Sequence, residues 1–259
     1  MAIVILMALV ALVGPLLVPN ATQENLLVGV TPPGGGHLFG TDLLGRDILA
    51  MSIAGTRPAL IGPLIIAIGA LLIGNSVGLL AGYLGGLWDS ILMRFVDLMY
   101  ALPSVLVAMV LIGLLGGGYA ISVAFLTAFF WPQDARIVRA ATLEQRSRPY
   151  VEAARVLGIP RWRIMLRHVW PNLLPLVVAN SFLNFAFALV SLSALSFLGL
   201  GVPPGDPDWG RMLSENRTEI FANAAASIVP ALLIIILASS MNLIGDWLLE
   251  RISLRGRAQ

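Results

Sequence analysis

Between Arg146 and Pro175 the chain reads RSRPYVEAARVLGIPRWRIMLRHVWPNLLP, and this block is set between apolar stretches long enough to cross a bilayer. That contrast constrains the fold more than any other feature. A bilayer core of about 30 Å takes about 20 helical residues. Within it, every backbone polar group must be bonded inside its own segment or around a closed barrel. Runs of Leu, Ile, Val and Ala of that length select helices, and the arginine-rich block must then lie in water at one membrane face. The 259 residues are 58% hydrophobic and 12% charged, which excludes an ordinary soluble domain. Cysteine is absent, so disulfides and thiolate chemistry are excluded, and all 16 cationic side chains are arginine.

The hydropathy pattern predicts an all-α polytopic membrane protein of about six transmembrane helices. They run from Ala2 to Val18, about Ala59 to Leu80, Leu98 to Leu115, Ile121 through Pro132 toward Ala141, Leu173 to Leu198, and Ala224 to Leu243. Pro103 opens the third, and Gly113, Gly116, Gly117 and Gly118 end it. The first run lacks the basic lead and the cleavage site of a signal peptide, so a membrane helix is expected, with residues of the complete protein preceding it.

Arginine sets the orientation. Six spans put both termini on one side, together with Arg94, the set Arg136, Arg139, Arg146, Arg148, Arg155, Arg161, Arg163 and Arg167, and the tail Arg251, Arg255 and Arg257. The other side holds Arg46, Arg57, Arg211 and Arg217 among seven acidic residues. The positive-inside rule places both termini and the 146–175 block in the cytoplasm. A five-span reading, with the first run cleaved or peripheral, has the same sidedness. The expected organisation is a first helix plus external segment (1–58), a core transmembrane domain (59–250) carrying the 146–175 loop, and a cytoplasmic tail (251–259). A second external segment, Val202 to Asn223, is expected to form a stiff loop and then a short helix from about Trp209.

In the polar block, Arg148 to Leu157 reads as a helix. Pro149 suits the first turn, where its missing N–H costs nothing, and Glu152 faces the positive end of the helix dipole. Ala153 and Ala154 leave a low-profile surface. Gly158 permits a sharp turn, and Ile159-Pro160 starts a second, amphipathic helix bearing Arg161, Arg163 and Arg167. Pro171 and Pro175 are expected to bend the chain into the fifth span.

Glu152-Ala153-Ala154, then three residues, Gly158, and a hydrophobic stretch into Trp170-Pro171 resembles the EAA signature of permease subunits in bacterial ABC importers. Four further blocks are similar to the C-type permease of the dipeptide/oligopeptide/nickel importer family: FGTDLLGRDILA from Phe39, AGYLGGLWDSILMRFVDLMYALP from Ala81, FLGLGVPPGDPDWG from Phe197, and GDWLLERISLR from Gly245. The resemblance implies a type I ABC importer permease fold in the bacterial inner membrane. It also implies a homologous second permease, two cytoplasmic ATPase subunits that bind ATP and Mg, and an extracytoplasmic substrate-binding protein. By that likeness Tyr150, Glu152, Ala153, Ala154, Gly158 and Arg161 belong to the element that couples to an ATPase. The implied substrate is a short peptide, with nickel or a small glutathione-like solute as the alternative. This chain would bind no cofactor and no nucleic acid, and would touch membrane lipid.

Individual residues leave choices open. Asp42, Gly45, Arg46 and Asp47 form an external cluster, either a network that fixes the loop or a contact for the binding protein or substrate. His37 alone makes a poor metal site and is expected in solvent. Arg94 lies three residues before Asp97, a spacing that suits an intrahelical pair. Asn180 and Asn184 share a face at i,i+4, as lining of the pathway or as glue between helices. No phosphate loop, HExxH or paired-cysteine pattern is present, so ATP hydrolysis belongs to another chain. A proton-coupled carrier would need an ionisable relay within the spans, and none is evident. A membrane scaffold without transport activity is the remaining alternative.

Overall fold

A computed structural model describes residues 1–34 and 36–257, without the side chains of 252–257. The side chains of Arg255 and Arg257, and residues 258–259 of the expected tail, lie outside the described residues. Among the described residues the regular structure is helical, joined by turns and irregular segments with two isolated bridges, Gly34 with His37 and Thr41 with Asp47.

The helices are α1 (Ala2–Leu17), α2 (Ile48–Leu84), α3 (Gly86–Ala101), α4 (Ser104–Leu114), α5 (Tyr119–Arg146), α6 (Pro149–Val156), α7 (Arg161–Ile164), α8 (Trp170–Phe197), α9 (Trp209–Glu215) and α10 (Ala225–Arg257). Three stretches are long and apolar enough to cross a membrane: Ile48–Leu84, Arg161–Phe197 and Ala225–Arg251. The α3–α4 pair qualifies as a fourth only as one bent span, and α1 is shorter, at 16 residues. The 28 residues of α5 suffice in length, but its second half carries Asp134, Arg136, Arg139 and Glu144.

Three expectations change. The span expected from Leu98 to Leu115 is two helices meeting at 80°. Pro103 forces Leu102 out of the helical region, to ψ 125°, and the helix ends before it. The second span starts eleven residues earlier than expected, because Asp47 Oδ1 accepts the Ala50 N–H at 2.9 Å and caps α2. The helix after Pro160 does not stop before the fifth span. It runs from Arg161 to Phe197, with a π-helical turn at Met165–Val169 in which the Trp170 N–H reaches back to Met165 O. Pro171 follows directly. It cannot donate to the fourth carbonyl before it and would clash there, and the widened turn accommodates it.

The chain packs as two compact units. The first comprises 1–65, 108–126 and 185–242; the second comprises 66–107, 127–184 and the chain from Leu243. The first is built around Trp209 of α9, which is fully buried and donates from Nε1 to Ser52 O at 2.9 Å. Gly55 makes room for it, since a Cβ there would lie 2.9 Å from Trp209 Cδ1. Asn223 closes the external segments by donating to three carbonyls, of Thr31, Phe39 and Thr41, at 3.0–3.2 Å.

The second unit rests on close approach of α2 to α5. Gly74, Gly78 and Gly82 recur every fourth residue on α2. A Cβ at Gly74 would lie 2.8 Å from Trp131 O, at Gly78 2.8 Å from Val138 Cβ, and at Gly82 2.9 Å from Arg139 O. In lipid no hydrophobic force separates helix–helix from helix–lipid contact, so small residues that bring backbones together drive the packing. Around this seam sit two apolar clusters. One joins Ala70, Val96, Trp131 and Ala135, with Phe95 stacked on Trp131. The other joins α2, α5, α6 and α8. Gly78→Ala should cost about 1–3 kcal/mol by overpacking, read as a lowered thermal midpoint of the detergent-solubilised protein, while Ala at the open position Gly113 should leave it within error.

Candidate functional site

The polar block is held by one face of a short helix. On α6, Val151 and Ala154 are buried in a cluster with Leu79 and Tyr83 of α2, Val138 of α5, Ile164 of α7, and Leu173 and Val177 of α8. Val151 and Ala154 are three apart and so share a face. The opposite face presents Glu152, Ala153, Val156 and Leu157, and the two large apolar residues are 87% and 77% exposed. This corrects the expectation that both alanines form the outer surface: Ala153 does, whereas Ala154 is core.

The helix ends in a Schellman motif. Gly158 stands at φ +73°, its N–H donates to Arg155 O at 3.0 Å, and the Ile159 N–H donates to Ala154 O at 3.2 Å. Ile159 then packs on the same cluster. Pro149 occupies the first turn as expected. Tyr150 ties the start of α6 to its neighbours, donating to Gln145 Oε1 at 2.8 Å and accepting from Asn172 Nδ2 at 3.2 Å. Arg161 is exposed, beside Trp162 at 58% exposure. The result is a terminated helix with an exposed apolar pair, Val156 and Leu157, flanked by Glu152 and Arg155. The sequence reading missed Val156 and Leu157; apolar residues on both faces of an eight-residue helix were the available signal.

The external cluster is a closed ionic lock within the first unit. Asp42 accepts from the Leu44 and Arg46 N–H groups at 2.9 Å and from Arg46 Nε at 2.6 Å. Gly45 makes the turn at φ +70°, packed against the Asn25 backbone. Arg46, 2% exposed, also donates to Gly205 O at 3.1 Å and Glu215 Oε2 at 2.7 Å, and Glu215 Oε1 holds Arg211 Nε at 2.8 Å. One guanidinium thereby joins the first external segment to the second. Burial alone would lower the Arg46 pKa, but Asp42 and Glu215 outweigh it and the net shift is upward. For Glu215, burial pushes upward, yet Arg46, Arg211 and the Gly205 N–H bring it below its ordinary value. Asp47 takes a different part, capping α2 and bonding His37 Nδ1 at 2.6 Å. His37 is therefore a half-buried partner of Asp47, not a free solvent residue, and among the described residues no group of His, Cys, Asp or Glu has metal-site geometry.

Asn180 and Asn184 converge on a residue the sequence reading passed over. Asp134 of α5 accepts from Asn180 Nδ2 at 2.6 Å and from Asn184 Nδ2 at 2.7 and 2.8 Å. The fourth span expected from the sequence is thus not free of ionisable side chains: Asp134 is buried and bonded to neutral amides, which stabilise a carboxyl group that lipid would reject. The i,i+4 spacing of the asparagines pointed to a shared partner, and only the packing of α5 on α8 identifies it. The Arg94–Asp97 pair is also replaced: Asp97 accepts from Arg136 at 2.6 Å, and Asp89 accepts from Arg139 through both Nε and NH2. These inter-helix pairs fix α3 to α5.

Removing Arg46 leaves the buried Asp42 carboxylate without its cation and Glu215 with Arg211 alone. Arg46→Ala should destabilise the protein by about 3–5 kcal/mol, measured as a fall in chemical-denaturation midpoint. Because the folded Glu215 pKa is lowered, its stabilisation is complete above the ordinary value of 4.5 and is lost as pH falls through the folded value. The acid-side loss of thermal stability should flatten in Glu215→Gln, whereas equal acid slopes would contradict the ionic lock.

Comparison with known proteins agrees with this architecture. The family model for "Binding-protein-dependent transport system inner membrane component" matches residues 74–255, which include α6 and Asp134. The chain is similar to the glutathione transport system permease protein GsiD of Pectobacterium atrosepticum, 36% identical over 216 residues covering 83% of this chain and 72% of that protein. It is similar to the dipeptide transport system permease protein DppC of Haemophilus influenzae, 33% identical over 252 residues covering 95% and 85%. In fold it is similar to a chain of the inward-facing MetNI methionine ABC transporter, with a TM-score of 0.66 at 19% identity over 79% of this chain and 97% of that one. The chain belongs to the binding-protein-dependent inner-membrane permeases, as a multi-pass, non-catalytic permease subunit of an ABC-type importer related to the peptide, nickel and glutathione uptake systems.

Proposed function

We propose that this permease forms, with a homologous second permease, the pathway for short peptides, and that Tyr150 to Gly158 is the lever gripped by one of two cytoplasmic ATPase subunits. ATP and Mg act on those subunits, and an extracytoplasmic binding protein delivers the substrate. Both termini and the 146–175 loop face the cytoplasm in this reading, with 1–58 as the first helix and external segment, 59–250 as the permease core and 251–259 as the tail. Arg161 contributes at the edge of the lever.

The observation that carries the reading is the division of α6. Val151 and Ala154 are locked into the helix core while Glu152, Ala153, Val156 and Leu157 project from it. Force applied to the outer face passes directly to α2, α5 and α8 through well-packed side chains, which deform little. The exposed apolar pair supplies contact area for a partner groove, and Glu152 supplies a charge for a basic residue or backbone donors there. A peptide substrate is favoured because the relatives cited carry glutathione or dipeptides in their names; a nickel-type or other small-solute importer is the second reading.

The test is ATPase activity of the complete complex in lipid, with and without binding protein loaded with candidate peptides. Leu157→Ser and Glu152→Ala should reduce the stimulated rate about tenfold, the loss of roughly 1.4 kcal/mol of coupling, while basal activity and subunit assembly persist. Gly158→Ala, strained at φ +73° by about 1–2 kcal/mol, should act in the same direction. Full stimulation in all three variants would remove α6 as the lever. Stimulation of wild type by nickel or another small solute alone would reassign the substrate.

A further inference from the structure

A cavity of about 520 Å³ lies within the first unit, inside the range of about 300–1,000 Å³ typical of small-ligand sites. Pro15, Val18 and Pro19 at the end of α1 form one wall, and Arg57, Tyr119 and Asp206 stand among the residues opposite. Tyr119 is already committed: its hydroxyl donates to Pro58 O at 2.5 Å, so its ring is a fixed surface. Arg57 and Asp206 are not. Arg46 and Arg211 are both held by Glu215, whereas Arg57 and Asp206 enter no ion pair or side-chain hydrogen bond among the described residues.

The cavity's location restricts its ligand. α1 ends at Leu17, where the segment read as external begins, so in that reading its end lies at the headgroup level. Leu9, Leu12, Leu16 and Leu17 of α1 are all more than half exposed, so acyl chains can lie along this helix up to the cavity. A free cation and a free carboxylate in one cavity complement a ligand with one anionic group and one ammonium.

We propose that this cavity seats the headgroup of a zwitterionic phospholipid of the phosphatidylethanolamine class. Its phosphate lies on Arg57, its ammonium donates to Asp206, and its chains follow the exposed leucines of α1. Arg57 supplies a forked donor suited to phosphate. The Asp206 carboxylate accepts N–H hydrogen bonds, which an ethanolamine ammonium can donate and a choline cannot. A soluble zwitterion such as a peptide offers the same two charges, but it has no use for the leucine face. The proposal needs α1 in the bilayer and does not depend on the coupling role of α6.

The test is lipid retention. The permease complex is equilibrated in nanodiscs of equimolar phosphatidylethanolamine, phosphatidylcholine and phosphatidylglycerol, then stripped gently, and the retained lipid is counted by native mass spectrometry. Phosphatidylethanolamine should be retained about fivefold over the other two, the scale of one headgroup charge contact. Arg57→Gln should abolish the preference, and Asp206→Asn should equalise ethanolamine with choline. With the unaltered protein, retention should fall stepwise along mono-, di- and trimethylated ethanolamine lipids. Retention that follows the bulk composition, preference for phosphatidylglycerol, preference unchanged by both variants, or displacement of the lipid by a soluble dipeptide would each overturn the proposal.

Discussion

The seating of Val151 and Ala154 in the cluster of Leu79, Tyr83, Val138, Ile164, Leu173 and Val177 is the contact on which the functional architecture depends. Without it, α6 would be eight polar and apolar residues at a membrane face, too short to hold a helix alone. With it, α6 is tied to three long helices, α2, α5 and α8. The Schellman turn at Gly158 and the return of Ile159 to the same cluster keep the outer ridge from rotating. The glycine seam on α2 supports the arrangement from behind, because only a close α2–α5 approach brings Val138 within reach of Leu79.

Polar groups in the two units are used differently. Around Asp134 the partners are neutral amides, which satisfy a carboxyl group within a span without introducing a second charge. Around Arg46 the partners are carboxylates, and the lock ties two segments far apart in sequence, Asp42 and Glu215. The first kind holds helices together in lipid. The second holds irregular loops together in water, where proline and glycine set the path and few backbone bonds are available.

Much of this was legible beforehand. The length and composition of the apolar runs decided an all-α membrane protein, since lipid leaves the backbone few other options. The polar block with Glu152, Ala153 and Gly158, and the four accompanying blocks, indicated an importer permease. Pro149 at a helix start and Gly158 at a positive φ follow from local sterics and needed no tertiary information. The spacing of Asn180 and Asn184 was informative as a shared face, but it carried no hint of Asp134, which lies 46 residues earlier in the chain than Asn180.

Sequence alone therefore determined what local chemistry governs: helix, membrane residence, the two ends of α6 and the family. Tertiary structure decided what depends on which faces meet. It turned Ala154 inward and Val156 and Leu157 outward, paired Asp97 with Arg136 in place of Arg94, moved His37 onto Asp47, and joined Arg46 to Glu215. The physical reason is that in chains this apolar, hydrophobic periodicity does not mark the buried face, because lipid accepts the same residues as the core. Only close packing of small residues and pairing of the few polar groups distinguishes inside from outside, and both are properties of helices brought together.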